Sequence, residues 1–356
     1  MILLESSYLL YIVVFIIFPF SILCSLRLRK GSDKNSVLLD INTCNNLKGI
    51  FMVLIIIHHF TIRLHDAGLL YSFKYVGFLG TSVFFFLSGY ALHLQLKKKG
   101  DAYLEHFISK KIIRLYLPWI LCILFFTVLF GIWDIKKLIK SLVLFKVIFN
   151  NDYNWFLIAI IFVYLTFYLC YKLVLKADSQ CKEKNLRKGL VIECIVICCY
   201  VAALFILNKG IYWINSILMF PLGALYQLYQ NEISAYFKKY IIPVMFISII
   251  AFCVSFKILD RQENLLSVYY LCSISALIFI LCVLDKVTLH SPVFEFLGKC
   301  SLELFLVQSG IIIFYYTNFP AYSYSFLVVF LMIVGCAYLI RKMIAITMKE
   351  RRKFRA

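Results

Sequence analysis

Long apolar runs dominate this chain and leave it few folds to choose from. A helix needs about 20 mostly apolar residues to cross a bilayer. Runs of that kind fall near 8–26, 48–65, 74–96, 115–132, 154–175, 190–207, 211–229, 240–258, 265–284, 300–317 and 322–346. Inside a bilayer only helices and closed barrels satisfy their own backbone hydrogen bonds. The runs therefore predict an all-α, polytopic membrane helix bundle. No long polar stretch separates them, so a single membrane domain is expected. Composition agrees: 63% of the 356 residues are apolar or aromatic and 15% are charged. Soluble domains have roughly half and a quarter respectively, so a soluble enzyme is excluded. The first run is long and is followed, not preceded, by basic residues, which reads as a retained helix instead of a cleaved leader.

The charge is lopsided, with 37 Lys+Arg against 18 Asp+Glu. In a soluble protein such an excess would suggest nucleic acid; in a membrane protein it reports basic cytoplasmic loops. If the first run exits into the cytoplasm, segments 27–48, 97–114, 172–189, 231–239, 285–299 and the tail from 341 hold 28 of the 37 basic residues. That orientation puts the C-terminus inside a cell membrane, bacterial plasma membrane being the expected one. It assigns the charge to topology and to anionic membrane lipids, with no nucleic-acid partner. Segment 133–153 carries Lys136, Lys137, Lys140 and Lys146 on the opposite side. Its Ile135, Leu138, Ile139, Leu142 and Val143 recur at helical spacing, which suggests a helix along the interface.

Ionisable groups within apolar spans invite functional readings. Lys48 and His59 stand eleven residues apart in one run. On a helix that separation is about 20° past three full turns, so both share a face, about 16.5 Å apart along the axis. A neutral imidazole with an unperturbed pKa near 6.5 suits a general base. His58 points about 100° away from His59 and reads as structural. Glu193 and Glu303 fall near span ends, where water is close, and also read as structural. Trp155, at a span entrance, reads by default as an interfacial anchor. The thirteen cysteines are scattered through apolar runs without zinc or redox spacing, and no metal site is expected.

Five short segments, in order, resemble the acyltransferase-3 family of integral membrane acyltransferases. The first is Lys48, ten intervening positions and His59, with Lys where Arg is commoner. Next come Val83-Phe84-Phe85-Phe86-Leu87-Ser88-Gly89-Tyr90 and Lys110-Lys111-Ile112-Ile113-Arg114-Leu115-Tyr116-Leu117-Pro118. Asn154-Trp155-Phe156-Leu157 follows, and Leu297-Gly298-Lys299-Cys300-Ser301-Leu302-Glu303-Leu304-Phe305-Leu306-Val307-Gln308 completes the set. Gln308 departs from the His often found there, so a hydrogen-bonding role replaces an acid/base one. The resemblance implies about ten core transmembrane helices in residues 40–346. Residues 1–39 then form an extra N-terminal helix and linker, and 347–356 a basic cytoplasmic tail.

It further implies transfer of an acyl group, acetyl in many members, from cytoplasmic acyl-CoA to a hydroxyl of a surface glycan or lipid-linked precursor. No permanently bound cofactor is implied; acyl-CoA is the donor substrate. His59 would be the catalytic base, with Lys48 holding the donor or supporting the His face. Lys111 and Arg114, on one helix face at i, i+3, would grip CoA phosphates. Ser88, Asn154, Trp155 and Gln308 would support substrate or structure. Lys97, Lys98 and Lys99 read equally as donor ligands or as topology signals. Two other classes are compatible with the same polar face: a transporter or flippase for a lipid-linked sugar or small metabolite, and a non-catalytic scaffold.

Overall fold

The computed structural model describes residues 8–29, 38–144, 155–177, 183–262, 265–319 and 324–353. Helices α1 (Tyr8–Ser25), α2 (Ile41–Thr61), α3 (Gly77–Lys99) and α4 (Phe107–Leu129) come first. They are followed by a short α5 (Ile135–Leu144), α6 (Trp155–Ala177) and α7 (Glu183–Ile206). A ten-residue α8 (Met219–Leu228) leads into the long α9 (Gln230–Arg261), which is kinked at Tyr240, and then α10 (Leu266–Lys286). The fold closes with α11 (Pro292–Lys299), α12 (Ser301–Asn318) and α13 (Ser325–Lys353). Among the described residues nine helices are long and apolar enough to cross a membrane, and the α11–α12 pair, bent by 79°, makes a tenth.

Residues 211–229 correct the expected count. They do not form one spanning helix but a 3-10 turn, Ile211–Trp213, followed by α8. Ten residues rise only about 15 Å, half a hydrocarbon core. The segment survives because it is enclosed by protein: Met219, Phe220 and Ala224 are at most 1% exposed. Non-helical backbone at membrane depth is tolerated only under such cover.

Local chemistry sets the ends of the helices that carry the site. Asp40 caps α2, its carboxylate accepting the Thr43 N–H at 2.7 Å. Ser291 caps α11 with Pro292 behind it. Gly100, at φ 60°, ends α3 after Lys97, Lys98 and Lys99. Those three lysines are exposed.

Two reciprocal glycine crossings lock the centre. A Cβ on Gly89 would fall on the Phe220 carbonyl and one on Gly223 on the Phe86 carbonyl, so α3 and α8 touch backbone to backbone. Gly49 and Gly298 do the same for α2 and α11, against the backbones of Phe294 and Asn45. Small residues at such crossings allow the dispersion contacts that drive helix association in lipid. α1 joins the bundle by burying Leu10 and Val14. Its exit strand β1 (Leu26–Leu28) pairs antiparallel with β2 (Val287–Leu289).

As its spacing predicts, α5 is amphipathic. Ile135, Ile139 and Val143 are exposed, while Leu138 and Leu142 pack against the core. The helix leans back on α4, where Trp119 Nε1 donates to the Ser141 carbonyl and the Tyr116 hydroxyl to the Leu142 carbonyl. Lys146 and the rest of the predicted interfacial segment lie outside the described residues.

Candidate active site

Two cavities lie at opposite ends of α2. The first, of about 1010 Å³, is bordered by Lys48 from α2, Lys111 and Arg114 from α4, and Tyr164 from α6. Gly298 and Lys299 of α11, Glu303 of α12 and Arg341 of α13 complete its polar wall. The structure thus brings together three basic residues singled out in the sequence, from positions more than sixty residues apart. The α2–α11 glycine crossing is what carries Gly298 and Lys299 to Lys48's helix.

Charge in this cavity is unbalanced. Glu303 faces Arg341 at 3.7 Å and Lys299 pairs with Glu295. Among the described residues no carboxylate pairs with Lys48, Lys111 or Arg114. Lys111 lies within electrostatic reach of both Arg114 and Lys48. Like charges held together without counter-charge, on helices partly out of water, form a place prepared for an anion. Ser88 does not border the cavity; it lies beside Tyr164, which does. Lys97, Lys98 and Lys99 border neither cavity, although Lys99 lies within electrostatic reach of Lys111.

The second cavity, of about 480 Å³, lies at the far end of α2 and is bordered by His58, His59, Lys74, Trp155, Asn215 and Tyr269, among others. His59 is 7% exposed and its ring centroid is 5.0 Å from that of His58. His58 Nδ1 lies 3.2 Å from the Phe73 carbonyl, which makes Nδ1 the protonated nitrogen. His58 is therefore hydrogen-bonded as expected of a structural histidine, yet it shares the cavity with His59.

Trp155 corrects its default reading. It is only 8% exposed and borders the His59 cavity, its ring 6.0 Å from Tyr212 and 6.5 Å from Trp213. Its partner in the motif, Asn154, lies outside the described residues. Gln308 is 1% exposed and borders neither cavity; its Nε2 donates to the Phe305 carbonyl at 3.4 Å.

Three features went unread in the sequence. Arg63, one turn after His59, donates Nη1 to the His59 carbonyl at 2.6 Å and Nη2 to Ser309 Oγ at 3.0 Å, tying α2 to α12. Its i+4 spacing from His59 was the available signal. Asn215, in the irregular turn before α8, had no local signal at all. The third is His93 of α3, whose Nε2 stands 3.0 Å from Glu193 Oε2 of α7 and 2.9 Å from the Tyr171 hydroxyl of α6. Glu193 is 0% exposed, so the expectation that it sits near water is overturned: α7 turns it into the bundle to meet His93.

Among the described residues no group of three or more His, Cys, Asp or Glu could hold a metal ion. The twelve described cysteines are all free.

Comparison with known proteins agrees with the five ordered segments. The sequence profile of a family described as an acyltransferase domain, acyltransferase-3, matches residues 41–342. No curated protein and no solved structure matches significantly. The matched region takes in the polar wall of the first cavity, from Lys48 to Arg341, and the whole lining of the second. Together with the apolar helices of the bundle, that match makes this chain a member of the acyltransferase-3 family and a multi-pass membrane acyltransferase.

Proposed function

We propose that the protein transfers an acyl group, acetyl in the simplest case, from acyl-CoA to a hydroxyl of a surface glycan or its lipid-linked precursor. The observation that carries this reading is the convergence of Lys48, Lys111 and Arg114, without carboxylate partners among the described residues, in a cavity large enough for a nucleotide. CoA is a polyphosphate, and guanidinium and ammonium groups bind phosphate by charge-assisted hydrogen bonds. Positive-inside topology puts this cavity at the cytoplasmic face of a cell membrane, where acyl-CoA is made, and the C-terminus on the same side.

The reaction then runs along one face of α2. Lys48, Lys111 and Arg114 hold the CoA phosphates, and the pantetheine arm carries the thioester toward His59, about 16.5 Å away along the helix. The acceptor occupies the His59 cavity. His59 takes the proton of its hydroxyl as the oxygen attacks the thioester carbonyl. A C–O bond forms, the C–S bond breaks, and the departing CoA thiolate recovers the proton from His59. The products are an ester and free CoA thiol. Arg63 positions His59 by holding its backbone against α12.

The test uses purified protein in lipid vesicles with radiolabelled acetyl-CoA and extracted surface glycan. The expected result is release of free CoA with label entering the glycan, both lost in His59→Ala at normal expression. Movement of unlabelled glycan precursor across the vesicle without CoA release would establish a transporter instead. Label transfer unaffected by His59→Ala would remove His59 from the reaction.

A further inference from the structure

The His59 cavity holds one polar group that the fold leaves unused. Asn215 is 5% exposed and borders the cavity, yet its Oδ1 has no hydrogen-bond partner among the described residues. A buried amide oxygen without a partner costs free energy that folding alone gives no reason to spend. Its position is also well fixed. The Asn215 N–H donates to the Ile211 carbonyl at 3.0 Å, and Tyr270 of α10 donates its hydroxyl to the Ile214 carbonyl one residue earlier. The turn before α8 is thus pinned from two sides, and the amide is presented to the cavity by rigid surroundings.

Its neighbours define what kind of molecule would use it. Trp155 and Tyr212 meet edge to face at 6.0 Å on the cavity wall, offering apolar ring surface beside the polar amide. A polyhydroxylated pyranose ring has the complementary character: C–H faces that pack on aromatics and hydroxyl edges that donate hydrogen bonds. His59 and Asn215 border one cavity, so a single bound ring is offered to both groups.

We infer that Asn215 is the acceptor-specificity residue, its Oδ1 accepting a hydrogen bond from a hydroxyl or amide N–H of the sugar ring that carries the acylated hydroxyl. The inference rests on the acyl-transfer reading above and adds to it the recognition of the acceptor. A site built around a hydrogen bond to substrate discriminates sharply against analogues that lack or misplace the donor, because the site's own polar group is then left unpaired.

The experiment places wild type, Asn215→Leu and Asn215→Asp in lipid vesicles. Each is given radiolabelled acetyl-CoA and a panel of 4-methylumbelliferyl pyranosides: gluco, galacto, manno and N-acetylglucosamine forms. Acetyl-CoA binding is measured separately by equilibrium dialysis. Leu removes both polar atoms at similar volume, and Asp keeps an oxygen in place. In Asn215→Leu, KM for the preferred pyranoside rises about tenfold and the ranking among epimers flattens. Acetyl-CoA binding is unchanged, and Asn215→Asp retains the wild-type ranking. Wild-type KM and ranking in Asn215→Leu would overturn the inference, as would loss of acetyl-CoA binding in that variant. Wild type that binds acetyl-CoA but acylates no pyranoside would overturn the ring class, and with it this inference. Wild type that fails to bind acetyl-CoA would overturn the acyl-transfer reading beneath it.

Discussion

Removing Glu193 should be among the most damaging single changes that leave both cavities untouched. The carboxylate and its partner His93 are 0% and 1% exposed and 3.0 Å apart, joining α7 to α3. Two unit charges at that distance attract by about 5 kcal/mol at an effective dielectric of ~20. Desolvation of the pair offsets most of that gain, so the pair itself adds little net stability. Loss of one member is different, because the other is left buried and uncompensated, at about 3–5 kcal/mol. The hydrogen-bond accounting sharpens the case. His93 Nδ1 lies 2.7 Å from the Gly89 carbonyl and must donate to it, and Tyr171 donates its hydroxyl to the Leu186 carbonyl. His93 Nε2 then faces both the Tyr171 hydroxyl at 2.9 Å and Glu193 Oε2 at 3.0 Å, and neither Glu193 oxygen has another hydrogen-bond partner among the described residues. Glu193→Ala should lower unfolding free energy by about 3–5 kcal/mol, roughly two to three and a half decades in the folding equilibrium. Glu193→Gln, whose amide donates to a neutral imidazole, should recover more than half of that. The assay is equilibrium unfolding in mixed micelles by SDS titration, run as a double-mutant cycle with His93→Ala. A coupling below about 0.5 kcal/mol, or a Glu193→Ala cost below about 1 kcal/mol, would refute the pairing argument.

Glycine substitutions separate crossing sites from open ones. Gly223→Ala pushes a methyl onto the Phe86 carbonyl and should cost about 1–3 kcal/mol, while Gly335→Ala, with nothing within 4 Å of its Cβ, should be neutral or stabilise α13 by up to about 1 kcal/mol. Unfolding midpoints of the two variants side by side decide it. Lys111→Ala with Arg114→Ala should raise KM for acetyl-CoA about tenfold or more with a smaller change in kcat, and should weaken the salt dependence of KM; equal KM in both proteins would remove the phosphate contact. Arg63→Lys keeps charge but cannot bridge the His59 carbonyl and Ser309 with one planar fork. It should lower kcat severalfold at constant acetyl-CoA affinity, and a change confined to affinity would place Arg63 with the donor instead.

The sequence by itself determined that this is a helical membrane protein, because spanning depends on the hydropathy of runs about 20 residues long, a local property. The Lys48–His59 face was legible for a similar reason, since the helical period is constant along α2. Lys111 and Arg114 could be named from their spacing on one helix, but their meeting with Lys48 could not. That depends on α4 and α2 both packing against α12, while the Gly49–Gly298 crossing brings α11 to the same place. Hydropathy likewise counted residues 211–229 as a span, because it registers apolar character and not whether neighbouring protein encloses it. Only the packed structure shows the short α8, the buried side-chain amide of Asn215 in the His59 cavity, and Glu193 facing His93 instead of water. Each of these rests on contacts between residues distant in the chain, where burial and hydrogen bonding are properties of the assembled bundle and not of any one segment.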